Sequence, residues 1–438
     1  VEWRGEIPRH WDVKRLKYMA TVRNSNVDKK SVDTEDEVSL LNYTDVYYNE
    51  YITADIDFMQ ATATAQQIQL FELKEDDVVV TKDSESWDDI AVPTCVDQDL
   101  RGVVCAYHLT LIRPVTDRTC GRYLARYFAS TPGAYQFKVG ANGVTRFGLS
   151  QKVLRDSLFL VPPLHEQRAI ASYLDAETAR IDKLITKTER LNELLREKRT
   201  ALISQAVTKG LDAGVAMKES GVEWLGEIPR HWDVKRLKFL TRKPLMYGAN
   251  EAADDNRRDY PRYIRITDIK EDGSLRDDTF RSLPYEIATP YLLTEGDILF
   301  ARSGATVGKT FRYQADWGIA CFAGYLIRFR CDPTQVISEC VDYYTSSKPY
   351  WEWVNGIFIK ATIQNISAEK YANTSLGVPP LHEQRAIAAY LDAETARIDK
   401  LIDKNDRLIH LLREKRSALI SAAVTGKIAV PSVSAVVK

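Results

Sequence analysis

The segment Gly304-Ala-Thr-Val-Gly308-Lys309-Thr310 has the composition of a nucleotide-phosphate loop. That chemistry needs four residues between the glycines and a helix after the lysine, whose first turn would hold the phosphate. Here three residues intervene, and Lys309 leads toward Phe311-Arg-Tyr, which reads as a strand. Phosphoryl transfer is therefore set aside. The same residues suit a different task. Arg302, Ser303, Thr306 and Lys309 stand in a glycine-containing turn after a hydrophobic strand, where side-chain donors can reach DNA phosphates and base edges. His165-Glu166 and His382-Glu383 begin like the zinc motif H-E-x-x-H, but Ala169 and Ala386 occupy the fifth positions, so no metal site is expected. Each glutamate is expected to serve the first turn of a helix. The cysteines at 95, 105, 120, 321, 331 and 340 have no C-x-x-C spacing and no histidine partners, and read as reduced packing residues. Neither an N-P-P-Y methyltransferase motif, nor a Walker A with its acidic partner, nor a nuclease constellation is found, so a chain without catalytic equipment is expected.

These side chains must be held by more than one core, because 438 residues exceed an ordinary domain. Hydrophobic content of 45% and charge of 28% fit a globular protein, and no run approaches the roughly 18 apolar residues of a membrane span. Net charge is -1, so any basic surface must be local. Val1 aligns with Val222, which follows Lys218-Glu-Ser-Gly, and the natural amino terminus is expected to lie further upstream.

The chain repeats itself at two places. Residues 1–17 (VEWRGEIPRHWDVKRLK) return at 222–238 with the single change of Arg4 to Leu225. Residues 161–208 return at 378–425 with 40 of 48 positions identical. Between the copies lie two inserts of little similarity, each mixing β-branched and aromatic runs with turn signals. Strands are expected at 38–48, 77–81, 263–269, 297–302 and 325–331, with short helices near 120–129 and 340–346. The repeated tryptophans (Trp3, Trp11, Trp224, Trp232) and prolines (Pro8, Pro229) fit domain packing or a partner surface equally well.

From Leu164 to Lys209 there is neither Gly nor Pro, with Pro162-Pro163 before and Gly210 after, which is helix punctuation. The second copy has the same punctuation at Pro379-Pro380 and Gly426. Leu174, Ile181, Leu184, Leu191, Leu195 and Leu202 fall near a 3.5-residue repeat and predict a coiled-coil stripe. Some 45 residues at about 1.5 Å each would extend about 65 Å, beyond a small domain's diameter. Connectivity favours antiparallel pairing of the copies, because residues 210–221 are too few to run back along such a rod. The expected fold is α+β: two globular domains separated by two long helices in an antiparallel coiled coil with approximate two-fold symmetry. The expected boundaries are 1–160 and 218–377 for the domains, 161–217 for the first helix and connector, and 378–438 for the second helix and tail.

The opening Lys218–Trp232 (KESGVEWLGEIPRHW), the segment Gly296–Lys309 (GDILFARSGATVGK) and the Pro-Pro-Leu-His-Glu-Gln-Arg approach to each long helix resemble the specificity subunit of type I restriction-modification enzymes. The likeness covers nearly the whole chain. The first insert departs from it, with Asp76-Asp-Val-Val79 and then Lys82-Asp-Ser84. The resemblance implies two target recognition domains that read an interrupted, asymmetric double-stranded DNA sequence, with the helices as a ruler. It further implies two adenine methyltransferase subunits using S-adenosylmethionine and two restriction subunits using ATP and Mg2+. No cofactor would then sit on this chain, and the setting would be a prokaryotic cytoplasm. In the second insert Lys360, Thr362, Gln364 and Asn365 join Arg302, Ser303, Thr306 and Lys309 as DNA-contact candidates. In the first insert the candidates are Lys82, Ser84, Lys138, Asn142 and Arg146. The rival readings are a coiled-coil adaptor that binds only proteins and a stand-alone ATPase.

Overall fold

The computed structural model describes residues 6–270, 273–359 and 365–430. Candidates Lys360, Thr362 and Gln364, and also Trp3, lie outside the described residues. The chain resolves into two compact units, residues 1–189 with 406–438 and residues 190–405. Each unit therefore takes the first part of one long helix and the last part of the other.

The repeated peptide explains how each unit starts. Strand Asp12–Arg15 pairs antiparallel with Leu158–Val161, the strand that delivers the chain to the first long helix. Asp233–Arg236 pairs in the same way with Ser375–Val378. Trp11 and Trp232 are buried, so at these positions the repeat serves domain packing. Glu166 and Glu383 do stand in first helical turns, but their carboxylates are engaged by the repeated peptide. The Trp11 and Trp232 indoles donate to them at 3.0 and 3.1 Å, with His10 and His231 at 2.9 and 2.8 Å. Next in each helix, Gln167 and Gln384 accept from the backbone N–H of Cys120 and Ile337 and donate to the carbonyls of Pro162 and Pro379. These bonds fasten the helix start to its own insert.

The helix ends are shared the other way. Ile420, Ala423 and Val424 belong to the core of the first unit, with Trp11, Tyr123 and Leu160. Ile203, Ala206 and Val207 belong to the core of the second, with Trp232, Tyr344 and Leu376. Gly426 shows why the helix must stop there: its φ of +70° excludes most side chains, and a Cβ would lie 2.5 Å from Pro8.

The long helices run Leu164–Lys209 and Leu381–Val424. Their pairing is antiparallel within each unit. Asp182 meets Arg416 at 2.9 Å and Glu189 meets Arg413 at 3.0 Å in one, while Asn192 meets Asn405 at 2.8 Å and Arg199 meets Asp399 at 3.1 Å in the other. The buried seam coincides with the leucine stripe read from the sequence at Leu174, Ile181 and Leu195 and departs from it between them. It follows Leu174, Thr178, Ile181, Ile185, Thr188, Asn192, Leu195 and Arg199, whereas Leu184 and Leu191 are 46% and 47% exposed. Alternating steps of four and three residues are the heptad signature. Its middle layers are polar, which hides the seam from a hydrophobicity reading.

Asn192 is 2% exposed and takes its hydrogen bond from the Asn405 amide. Asn405→Ile is therefore expected to lower stability by about 1–3 kcal/mol, since the buried Asn192 carbonyl would lose the hydrogen bond from the Asn405 amide. Adding Asn192→Ile should recover most or all of that loss. Denaturant titration of the two variants checks this, and a single substitution without cost would refute a buried polar layer.

Both inserts are α+β. The first carries a five-stranded sheet with strands in the order Ala20–Asn24, Leu109–Pro114, Val78–Thr81, Pro93–Val96, Tyr51–Ile52, and beside it a four-stranded sheet built on Asp36–Leu41. The second carries a four-stranded sheet in the order Met246–Tyr247, Leu326–Phe329, Ile298–Ala301, Thr310–Arg312. Two expected strands end early. Asp36–Leu41 gives way to helix Tyr43–Tyr48, because the Asp45 carboxylate accepts the Asn42 N–H at 2.7 Å and caps a helical turn. Arg262–Ile264 gives way to a single turn at Ile266–Asp268, where buried Asp268 accepts the Arg265 N–H at 2.8 Å.

Candidate nucleic-acid interface

In the second unit the glycine-containing turn grows out of a buried carboxylate. Asp297 is 1% exposed and accepts from Arg330 twice, at 2.7 and 2.6 Å, and from the Thr294 N–H at 2.9 Å. A charge so buried is tolerated because it is paired and fully hydrogen-bonded. The strand that follows, Ile298–Ala301, is buried throughout. The next residue, Arg302, is held by its backbone: its N–H donates to Tyr325 at 3.0 Å and its carbonyl accepts from Ile366 at 2.9 Å. Ser303 pairs with Asn365 in an antiparallel bridge.

Gly304–Thr306 forms one 3-10 turn, and the chain returns as strand Thr310–Arg312. A strand after Lys309 is what the sequence spacing predicts, and it leaves no helix end for a nucleotide. Gly308, at φ +86°, packs so closely that a Cβ would lie 2.8 Å from Val354. The structure thus brings Arg302, Ser303, Thr306, Lys309 and Asn365 to one corner. Lys309 is exposed there, while Arg302, Ser303, Thr306 and Asn365 are half-buried.

The first unit repeats this frame. Asp77 is fully buried and accepts from Arg113 at 2.8 and 2.6 Å and from the Lys74 N–H at 2.8 Å. Strand Val78–Thr81 follows, buried throughout. The Lys82 N–H then donates to His108 at 3.1 Å, and its carbonyl accepts from Leu149 at 2.7 Å. Lys82 is therefore the structural counterpart of Arg302, and Asp83 that of Ser303. The shared pattern, an aspartate, four strand residues and a basic residue, is visible in the sequence as Asp77-Val-Val-Val-Thr-Lys82 and Asp297-Ile-Leu-Phe-Ala-Arg302.

The two corners carry different side chains. Asp83 and Ser84 pair with Gly148 and Phe147, and the Asp83 carboxylate accepts from Arg146 at 2.7 Å and lies 2.8 Å from His108 Nδ1. Asn142 exchanges backbone bonds with Gly148 and closes the same hairpin. Ser84 is 8% exposed and accepts the Ser86 N–H, which is a turn-forming role. Lys138 stands apart from these bonds in the last turn of helix Thr131–Gly140. It acts on Asp88, whose pKa is lowered first by the Ser86 hydroxyl and further by the Lys138 charge.

Sequence reasoning passed over three residues at these corners. Asp83 and His108 complete the first. At the second, Tyr247 lies 4.8 Å beneath the Arg302 guanidinium, and its hydroxyl accepts the Ala368 N–H at 2.9 Å.

Residues 8–196 match the family described as the type I restriction modification DNA specificity domain. The chain is 23% identical over 439 residues to a putative MjaX specificity subunit of Methanocaldococcus jannaschii, a match covering 97% of this chain and 95% of that one. Over nearly its whole length the chain is thus similar to a type I restriction-modification specificity subunit. It is also 24% identical over 318 residues to the EcoBI specificity subunit of Escherichia coli, covering 70% of this chain but 66% of that subunit, just under two thirds of its length. A chain in a solved structure of a type I restriction-modification system matches with a TM-score of 0.74 at 15% identity, covering 97% of this chain and all of that one. At that identity the likeness establishes a common fold.

Proposed function

We propose that each unit reads one half of an interrupted DNA target, that the two halves differ, and that the long helices set the spacing between them. The observation that carries this reading is one buried aspartate–strand frame used twice to present unlike residues: Lys82, Asp83, His108 and Arg146 in one unit, Arg302, Ser303 and Tyr247 in the other. A specificity subunit that bound a symmetric site would need like corners.

Catalysis then belongs to partners. In this reading two methyltransferase subunits use S-adenosylmethionine and two restriction subunits use ATP and Mg2+, in the cytoplasm of a prokaryote. No helix among the described residues is long and apolar enough to cross a membrane. A surface for partner helices is provided by leucines beside the seam. Leu184, Leu191 and Leu194, and their repeats Leu401, Leu408 and Leu411, are 42–53% exposed. In each unit they lie outside the seam, Leu184, Leu408 and Leu411 in the first and Leu191, Leu194 and Leu401 in the second, and supply apolar surface there.

Lys309 tests direct DNA contact. It is exposed beside the recognition turn and is assigned to a phosphate. In the complex with its methyltransferase, Lys309→Ala is expected to weaken binding to all sequences alike and to reduce the slope of log affinity against log salt by about one. Fluorescence anisotropy across a salt series measures both. Affinity that does not depend on salt, with or without the substitution, would favour a protein-only adaptor.

A further inference from the structure

We propose that Arg302 reads a guanine in the half-site of the second unit, with Tyr247 as the residue that positions it. This inference rests on the two-half-site reading above.

Several arginines of this insert are committed to carboxylates: Arg330 to Asp297, Arg312 to Glu339, Arg265 to Asp268, Arg242 to Asp332. Arg302 differs. Among the described residues no carboxylate lies within salt-bridge distance of it, and residues 360–364, next to its neighbour Asn365, contain no acid. Its Nε is buried without a hydrogen-bond partner among the described residues, while its guanidinium lies over the Tyr247 ring.

Tyr247 is itself fixed. It belongs to strand Met246–Tyr247, pairs with Ile327, and is tied through its hydroxyl to Ala368. A guanidinium resting over an aromatic ring is restrained in position by it, with the two terminal nitrogens left to donate side by side. Guanine is the base whose major-groove edge offers two adjacent acceptors, N7 and O6. Adenine would set its N6 donor against an arginine donor.

The first unit lacks this device. Lys82 takes the place of Arg302, and a lysine has no fork. The guanidinium at that corner, Arg146, is bound to Asp83, where the second unit has Ser303. The difference between the half-sites is thus assigned to the Lys82/Arg302 and Asp83/Ser303 positions.

The experiment maps adenine methylation by the chain assembled with its methyltransferase on DNA of random sequence, comparing wild type with Arg302→Ala, Arg302→Lys, Arg302→Gln and Tyr247→Ala. Wild type should require guanine at one position of one half-site. Arg302→Ala should lower that preference by about 5- to 150-fold and leave every other position unchanged. Arg302→Lys should keep overall affinity but relax the same position. Arg302→Gln should shift it toward adenine, which pairs bidentately with an amide. Tyr247→Ala should relax the same position to a smaller degree. An unaltered second half-site in each variant reports an intact fold. The assignment is overturned if a bipartite motif is found whose base requirements do not change in Arg302→Ala, or if that variant weakens both half-sites equally. A motif that is not bipartite would instead sink the reading on which it rests.

Discussion

A chain carrying four extra residues in each long helix, inserted between Thr186 and Leu195 in the first and in the facing stretch between Asp403 and Leu412 in the second, is expected to read its two half-sites across an unread spacer about two base pairs longer. Four helical residues add about 6 Å, and B-DNA rises about 3.4 Å per base pair. Four is also the insertion that a heptad seam tolerates, as a stutter that unwinds the pair locally without turning its apolar side outward. The inserted segments should leave Asn192 and Asn405 facing each other, because their hydrogen bond marks the register. Lengthening one helix alone staggers Asp182 against Arg416 and Arg199 against Asp399, and should abolish sequence-specific methylation. Motif mapping of both variants gives the result directly. An unchanged spacer after insertion in both helices would remove the helices from the role of ruler.

The second large effect is expected at the frame beneath the recognition turn. Asp297→Ala deletes a carboxylate that holds both ends of the Arg330 fork and the Thr294 backbone. Removing one member of a buried, hydrogen-bonded pair costs about 3–5 kcal/mol, because the remaining charge loses its partner without regaining water. The cost should fall on the second unit, with its half-site lost and that of the first unit retained. Asp77→Ala should do the reverse, through Arg113. Chemical denaturation followed by motif mapping separates the two. A loss below about 1 kcal/mol would mean that the pair is solvated and carries no frame.

Repeats and helix bounds were legible because they depend on local punctuation. Pro162-Pro163 and Gly210 bracket the first long helix where the structure has it. The seam was legible only in part, at Leu174, Ile181 and Leu195. Between them the half-buried Thr188 and the buried Asn192 take the seam positions, while Leu184 and Leu191 sit on the open flank, so apolar periodicity alone drifts off the seam there. Strands at 38–48 and 263–269 were overextended for a related reason. Tyr and Val suit a strand, and only the side-chain caps Asp45 and Asp268 turn the backbone into a helical turn.

At the candidate interface, the turn from Arg302 to Lys309 could be read directly, since its glycines and donors are consecutive. Its counterpart in the first unit could not, because the first unit has Asp83 and Ser84 where the second has Ser303 and Gly304. The equivalence of Lys82 and Arg302 rests on backbone bonds to His108 and Tyr325, residues distant in sequence. Tyr247 lies farther still from Arg302 along the chain, and its partnership is a product of the sheet that brings Met246–Tyr247 beside Leu326–Phe329.

Adenine methylation mapped on DNA from cells that express the chain with one methyltransferase partner tests the two-unit reading most directly. The expected motif has two unlike half-sites, a fixed unread spacer and one methylated adenine on each strand. A continuous or palindromic motif, or methylation without sequence preference, would contradict it.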